Sequence, residues 1–97
     1  MDQRKQDRIV ADRELTCRWR GTELPIFVYN LSAEGCMALL EQDEAGEGDA
    51  LSISFPSDGY IDGRIVWRQG PVLGIGFARR LEASAIALLN AIRRPRI

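Results

Sequence analysis

A chain of 97 residues, 45% hydrophobic and 28% charged, accommodates one domain with one modest core and excludes wholesale disorder or a second globular unit. No apolar run approaches the roughly 20 residues that span a bilayer and the start MDQRKQDR is too polar for a signal peptide, so a cytoplasmic protein without membrane insertion is expected. Net charge is −1 and unevenly spread: residues 1–20 carry six Lys/Arg, and residues 41–62 carry seven acids and no base, which argues against a nucleic acid polymer as partner.

Residues 1–8 offer little to bury and are expected to form a flexible N-terminal arm. From Leu15 the chain alternates, with Leu15, Cys17 and Trp19 against Thr16, Arg18 and Arg20, the period of a half-buried strand. Gly21 and Thr22 mark a turn. A second strand is expected over Leu24–Leu31 (LPIFVYNL), interrupted at Ser32–Gly35, and a third over Cys36–Leu40. EQDEAGEGD at 41–49 reads as a solvated acidic loop whose glycines suit positive φ.

Leu51, Ile53 and Phe55 alternate with serines in a fourth strand that stops at Pro56. The fifth runs from Tyr60 to Arg68, where Gly63 marks a bulge or a close backbone approach. Gln69, Gly70 and Pro71 turn the chain into a sixth strand over Val72–Ala78. In these alternating strands Trp19, Phe27, Phe55, Trp67 and Phe77 are expected to pack in the core. Six short strands within 14–79 point to an antiparallel barrel or sandwich, a mainly β domain. After Arg80 the period lengthens: Leu81, Ala85, Leu88, Leu89 and Ile92 form the apolar stripe of a C-terminal α-helix over 81–94, ended by Pro95, that is expected to cover the open end of the β structure.

The two cysteines, Cys17 and Cys36, show no CxxC spacing and there is no histidine, which excludes an ordinary zinc site and a Ser/His/Asp triad. Both cysteines sit in apolar stretches and are expected to be small buried side chains. Carboxylate pairs such as Asp43 with Glu44 lie in the acidic loop, where no apolar pocket would raise a pKa, so an enzyme is not expected, nor a cofactor. Of thirteen cations twelve are arginine, whose planar fork grips phosphate bidentately or lies flat on a base.

Two strings stand out. Arg4-Lys5-Gln6-Asp7-Arg8 precedes the first strand, and Asn30-Leu31-Ser32-Ala33-Glu34-Gly35 fills the break between the second and third. They resemble the RxxxR and (D/N)xSxxG motifs of the PilZ domain family, and Gly63-Arg64-Ile65-Val66-Trp67 and Gly74-Ile75-Gly76-Phe77 are similar to that family's fifth and sixth strands. The resemblance covers nearly the whole chain as one domain, 1–97. It implies a six-stranded antiparallel β-barrel followed by a helix. It also implies a receptor that binds the bacterial second messenger cyclic di-GMP on the barrel's outer surface.

On that resemblance Arg4 and Arg8 are expected to donate paired hydrogen bonds to guanine O6 and N7 or to phosphate oxygens, and to stack on a base. Asn30 supplies an amide for guanine, Ser32 a hydroxyl, and Gly35 an open position where a side chain would block a base or strain the turn. The arm is expected to close over the ligand and present a new surface to an effector protein. Two positions depart from the common pattern. Gln3 stands where many members carry another arginine, implying fewer ionic contacts or one ligand molecule instead of a stacked pair, and Cys36 stands at an often smaller position. The competing expectation is an interaction module that keeps the barrel and does not bind the messenger.

Overall fold

The period-two runs fold as six antiparallel strands in the computed structural model, which describes residues 13–56 and 58–82. The strands are β1 (Arg13–Trp19), β2 (Thr22–Tyr29), β3 (Gly35–Leu39), β4 (Ala50–Phe55), β5 (Gly59–Gln69) and β6 (Val72–Phe77). They close in the order β1-β2-β3-β6-β5-β4, because β1 pairs with β4 as well as with β2. A barrel of this size has an interior filled by side chains, not a channel. Ile26, Val28, Ile53, Ile61, Ile65 and Leu73 are each at most 1% exposed there. The barrel is thus the closed form of the two β architectures that alternation allowed.

The hairpin between β1 and β2 turns one residue earlier than the glycine suggested. Arg20 and Gly21 both have positive φ, 52° and 78°, and Thr22 already pairs with Trp19. Two left-handed central residues give the two-residue turn whose twist matches paired strands.

Gly63 is not the bulge. Ile65 faces Ile75 while Trp67 faces Gly74, so the extra residue is Val66. Gly63 instead marks close approach: a Cβ there would lie 3.0 Å from the Gly76 carbonyl oxygen and 3.1 Å from Ile75 Cγ2. The bulge resets the alternation, and Val66 and Trp67 are both exposed, at 50% and 37%. This corrects the expectation that Trp67 packs in the core. Phe27, on the outer side of β2, is 36% exposed and is corrected likewise. Trp19 and Phe55 are buried as expected, and Phe77 packs edge-to-face on Phe55 with ring centroids 5.7 Å apart.

The acidic stretch between β3 and β4 keeps Glu41, Asp43, Glu44 and Glu47 in solvent as expected, but its backbone is packed as a closure of one barrel end. Ala45 is buried and the Arg68 guanidinium holds the Gln42 carbonyl oxygen at 2.7 Å and that of Ala45. Gly48 N–H donates to the Ile65 carbonyl at 2.7 Å, and Ile65 N–H to that of Asp49 at 2.9 Å. The Asp49 carboxylate accepts from Gly46 N–H and from the Trp19 indole, each at 3.1 Å, with Arg20 3.8 Å away.

These partners, the Gly46 N–H first, hold the Asp49 carboxyl below the usual carboxylate range. A lowered folded-state pKa contributes stability that is complete above the unfolded carboxylate's range and disappears as pH falls through it to the folded value. Asp49→Asn is therefore expected to flatten the acid limb of a thermal-midpoint profile between pH 7 and pH 3, with the two proteins converging at the acid end. Parallel profiles would remove Asp49 from the acid response.

The arm expected at 1–8 and most of the helix expected over 81–94 lie outside the described residues. Leu81 and Glu82, the first two residues of that helix, are not helical. Leu81 is buried in the core cluster at the barrel end opposite the acidic loop.

Candidate functional site

The turn between β2 and β3 is built by its own polar residues. Asn30 takes φ 58°, a left-handed conformation that asparagine tolerates better than most residues, and this bends the chain out of β2. Leu31 follows, fully buried, and pins the turn to the core. Ser32 N–H donates to the Gly35 carbonyl at 2.8 Å. The Ser32 hydroxyl accepts from Glu34 N–H and donates to the Gly35 carbonyl, both at 3.3 Å, a side-chain brace typical of serine turns.

Positive φ in this motif belongs to Asn30, not Gly35. A Cβ on Gly35 would overlap the carbonyl oxygen of Ile75, so glycine is required there by the close approach of β3 to β6. Three further contacts tie the turn to the end of β6 and the chain after it. Phe77 N–H donates to the Glu34 carbonyl and Leu81 N–H to that of Ala33, both at 2.8 Å, and Arg80 pairs with the Glu34 carboxylate.

Beside the turn a cleft of about 480 Å³ opens on the outer face of the barrel. Asn30, Ser32 and Gly35 line it together with Met37, Gly74 and Trp67, which form a row across β3, β6 and β5. The Trp67 indole lies directly over Gly74, in space that any Cβ at Gly74 would take. Asn30 Nδ2 donates to Met37 Sδ at 3.1 Å, a weak acceptor. The arrangement offers a flat aromatic face, a nearby amide and a floor stripped of side chains. These are groups that stack on and hydrogen-bond a planar heterocycle.

Among the described residues this cleft has no surplus of positive charge, because its carboxylate Glu34 is matched by Arg80. The pair Arg64 and Arg68, which repeats the RxxxR spacing inside β5, is spent on backbone: Arg64 donates to the Gly48 carbonyl at 2.8 Å and Arg68 braces the acidic loop. Arg4 and Arg8 lie outside the described residues. Cys36 also borders the cleft, but burial pushes its thiol up to about 12, and that of Cys17 to about 11, so both stay protonated and unreactive.

A larger cleft of about 640 Å³ lies on the outer face of β4 and β5. Its polar groups are already partnered, Ser52 with Asp62 at 3.0 Å and Arg18 with Glu23 at 3.4 Å. It offers a ligand less than the cleft at Asn30 does. Among the described residues no group of His, Cys, Asp and Glu is placed to hold a metal ion, and no helix is long and apolar enough to cross a membrane.

Sequence reasoning placed Asn30, Ser32 and Gly35 together and missed Met37, Val66, Trp67 and Gly74. Three consecutive apolar residues, Ile65, Val66 and Trp67, inside an alternating strand were the available sign of a bulge. The glycine facing Trp67 was the sign of an indole lying flat on the sheet. The PilZ domain family model matches residues 2–93, nearly the whole chain, which therefore belongs to that family of non-catalytic domains that bind cyclic di-GMP. No curated protein and no solved structure matches the chain.

Proposed function

We propose that this PilZ domain is a non-catalytic receptor that takes cyclic di-GMP in the cleft between Asn30 and Trp67 and reports its occupancy to a partner protein. The observation that carries this reading is the exposed Trp67 indole on Gly74, lining the same cleft as the Asn30–Gly35 turn. That wall suits guanine: the indole stacks on a base, and the Asn30 amide accepts from and donates to its edge. Gly35 leaves the approach open, and the Ser32 hydroxyl serves mainly to brace the turn.

The phosphodiesters need cations that the described wall does not supply. Arg4 and Arg8 fill that need, and charge-assisted hydrogen bonds of about 1.5 to 3 kcal/mol each offset the roughly 1 to 2 kcal/mol that fixing each residue of the arm costs. The ligand thus draws the RxxxR segment onto a preformed base-binding wall. The ion pair of Glu34 with Arg80 and the hydrogen bonds that the Ala33 and Glu34 carbonyls accept from Leu81 and Phe77 connect the occupied turn directly to the end of β6 and the chain beyond it.

Isothermal titration of the full chain with cyclic di-GMP tests the proposal, with Arg8→Ala beside the wild type. The wild type is expected to release heat with saturation, and Arg8→Ala to bind at least tenfold more weakly, from the loss of one charged contact, with an unchanged thermal midpoint. No heat and no resonance change with excess messenger would leave the ligand-free interaction module in its place.

A further inference from the structure

The outer face of the barrel carries a second apolar surface that the cleft does not use. Phe27 and Leu39 are register partners across β2 and β3, 36% and 37% exposed, and Val72 of β6 pairs with Leu39 to extend the row. Pro25, two residues from Phe27 on the same side of β2, is exposed as well. A groove of about 340 Å³ runs along this surface, bordered by Glu14, the register partner of Phe27 on β1, and by Glu41 beyond β3.

Among the described residues the rim is acidic and unmatched. Glu23, Glu34 and Glu44 pair with Arg18, Arg80 and Arg20, whereas Glu14 and Glu41 have no ion-pair partner among the described residues. An apolar centre with a charged rim is the anatomy of a protein interface, and the sign of the rim selects the partner. Anionic lipid and nucleic acid are both repelled by it. A two-fold contact with a second copy would set each rim against itself.

β2 pairs with β3 only over Phe27–Tyr29, and the stretch of β2 that β3 leaves uncovered carries Pro25, which has no N–H to give, so an extended peptide finds no continuous ladder here. Contact must be made through side chains, which an amphipathic helix delivers with its own backbone already satisfied. We infer that the Phe27–Leu39–Val72 row docks an amphipathic helix of a partner protein, one whose apolar face is flanked by Lys or Arg that meet Glu14 and Glu41.

The row Tyr29–Met37–Gly74–Trp67 lies one pleat away on the same outer face. A helix seated there would sit beside the cleft, a link to signalling that rests on the proposed receptor function. Binding to the row itself does not depend on that function and is measured without cyclic di-GMP, so the two can fail separately.

The test is a selection of a random peptide library displayed on phage against the immobilised full chain. Enriched peptides are expected to carry apolar residues at helical spacing flanked by Lys or Arg. Leu39→Ser should weaken the enriched peptides about tenfold or more by removing one apolar anchor, with the cooperative thermal transition of the barrel retained because the side chain lies outside the core cluster. The double variant Glu14→Lys with Glu41→Lys should select acidic peptides instead. No enrichment, enrichment of peptides without cations, or unchanged binding to Leu39→Ser overturns the inference. So does a concentration-dependent dimer, seen by sedimentation, that Leu39→Ser abolishes, since the occupant is then a second copy.

Discussion

Gly35→Ala is expected to lower stability by about 3 kcal/mol and the thermal midpoint by more than about 10 °C. Gly35 opens β3 opposite Gly76, and its added Cβ would overlap the Ile75 carbonyl oxygen with Gly76 Cα at 3.3 Å. Both obstacles are backbone, so no side chain can rotate aside. Relief requires β3 to part from β6 at the seam where Phe77 N–H meets the Glu34 carbonyl. The turn that lines the cleft would open with it, and any loss of ligand affinity in this variant reports on folding as much as on contact. Gly46→Ala is the control. Nothing lies within 4 Å of a Cβ there and its φ is not positive, so that variant should fall within about 1 kcal/mol of wild type. Equal stabilities for the two variants, measured by urea unfolding, would refute the close packing of β3 on β6.

Strands were most legible where they buried only one face, so the alternation in Leu15–Trp19 or Leu51–Phe55 had a single physical reading. Closure into a barrel was not contained in those patterns. It depends on β1 pairing with β4, a contact between segments more than thirty residues apart that no local period encodes. The packing of the acidic loop was hidden for a related reason. Charged residues signal solvent, yet the loop is held through backbone carbonyls that Arg68 and Arg64 grip, and Ala45 is too small to announce itself as a core residue.

The candidate site was half legible. Asn30, Ser32 and Gly35 form a local string, and their turn closes on itself, so the string and the structure coincide. The right glycine was singled out for an incomplete reason. Its conformation is ordinary, and its necessity comes from Ile75, forty residues away. An uninterrupted alternation from Ile61 points Trp67 into the core, and the one-residue slip at Val66 turns it outward. That slip gives the barrel its most exposed large aromatic beside the motif.

Trp67→Ala is expected to weaken cyclic di-GMP binding by between about tenfold and a hundredfold, the range of one lost base–aromatic stack. Stability should change by no more than about 1 kcal/mol, because the indole covers an outer face and not the core. Gly74→Ala separates position from presence. Its Cβ would overlap Nε1, Cε2 and Cδ1 of the indole, and the obstacle here is a surface side chain that can swing away. Trp67 would remain in the protein but lie off the sheet, so affinity should fall by the same order while the backbone stays intact. Trp67→Phe keeps a flat face in place and should recover most of the loss. A tryptophan that only fills space over Gly74 predicts the reverse pattern: both alanine variants would lose stability, and the dissociation constant, read by calorimetry or by quenching of the exposed indole, would stay where it was.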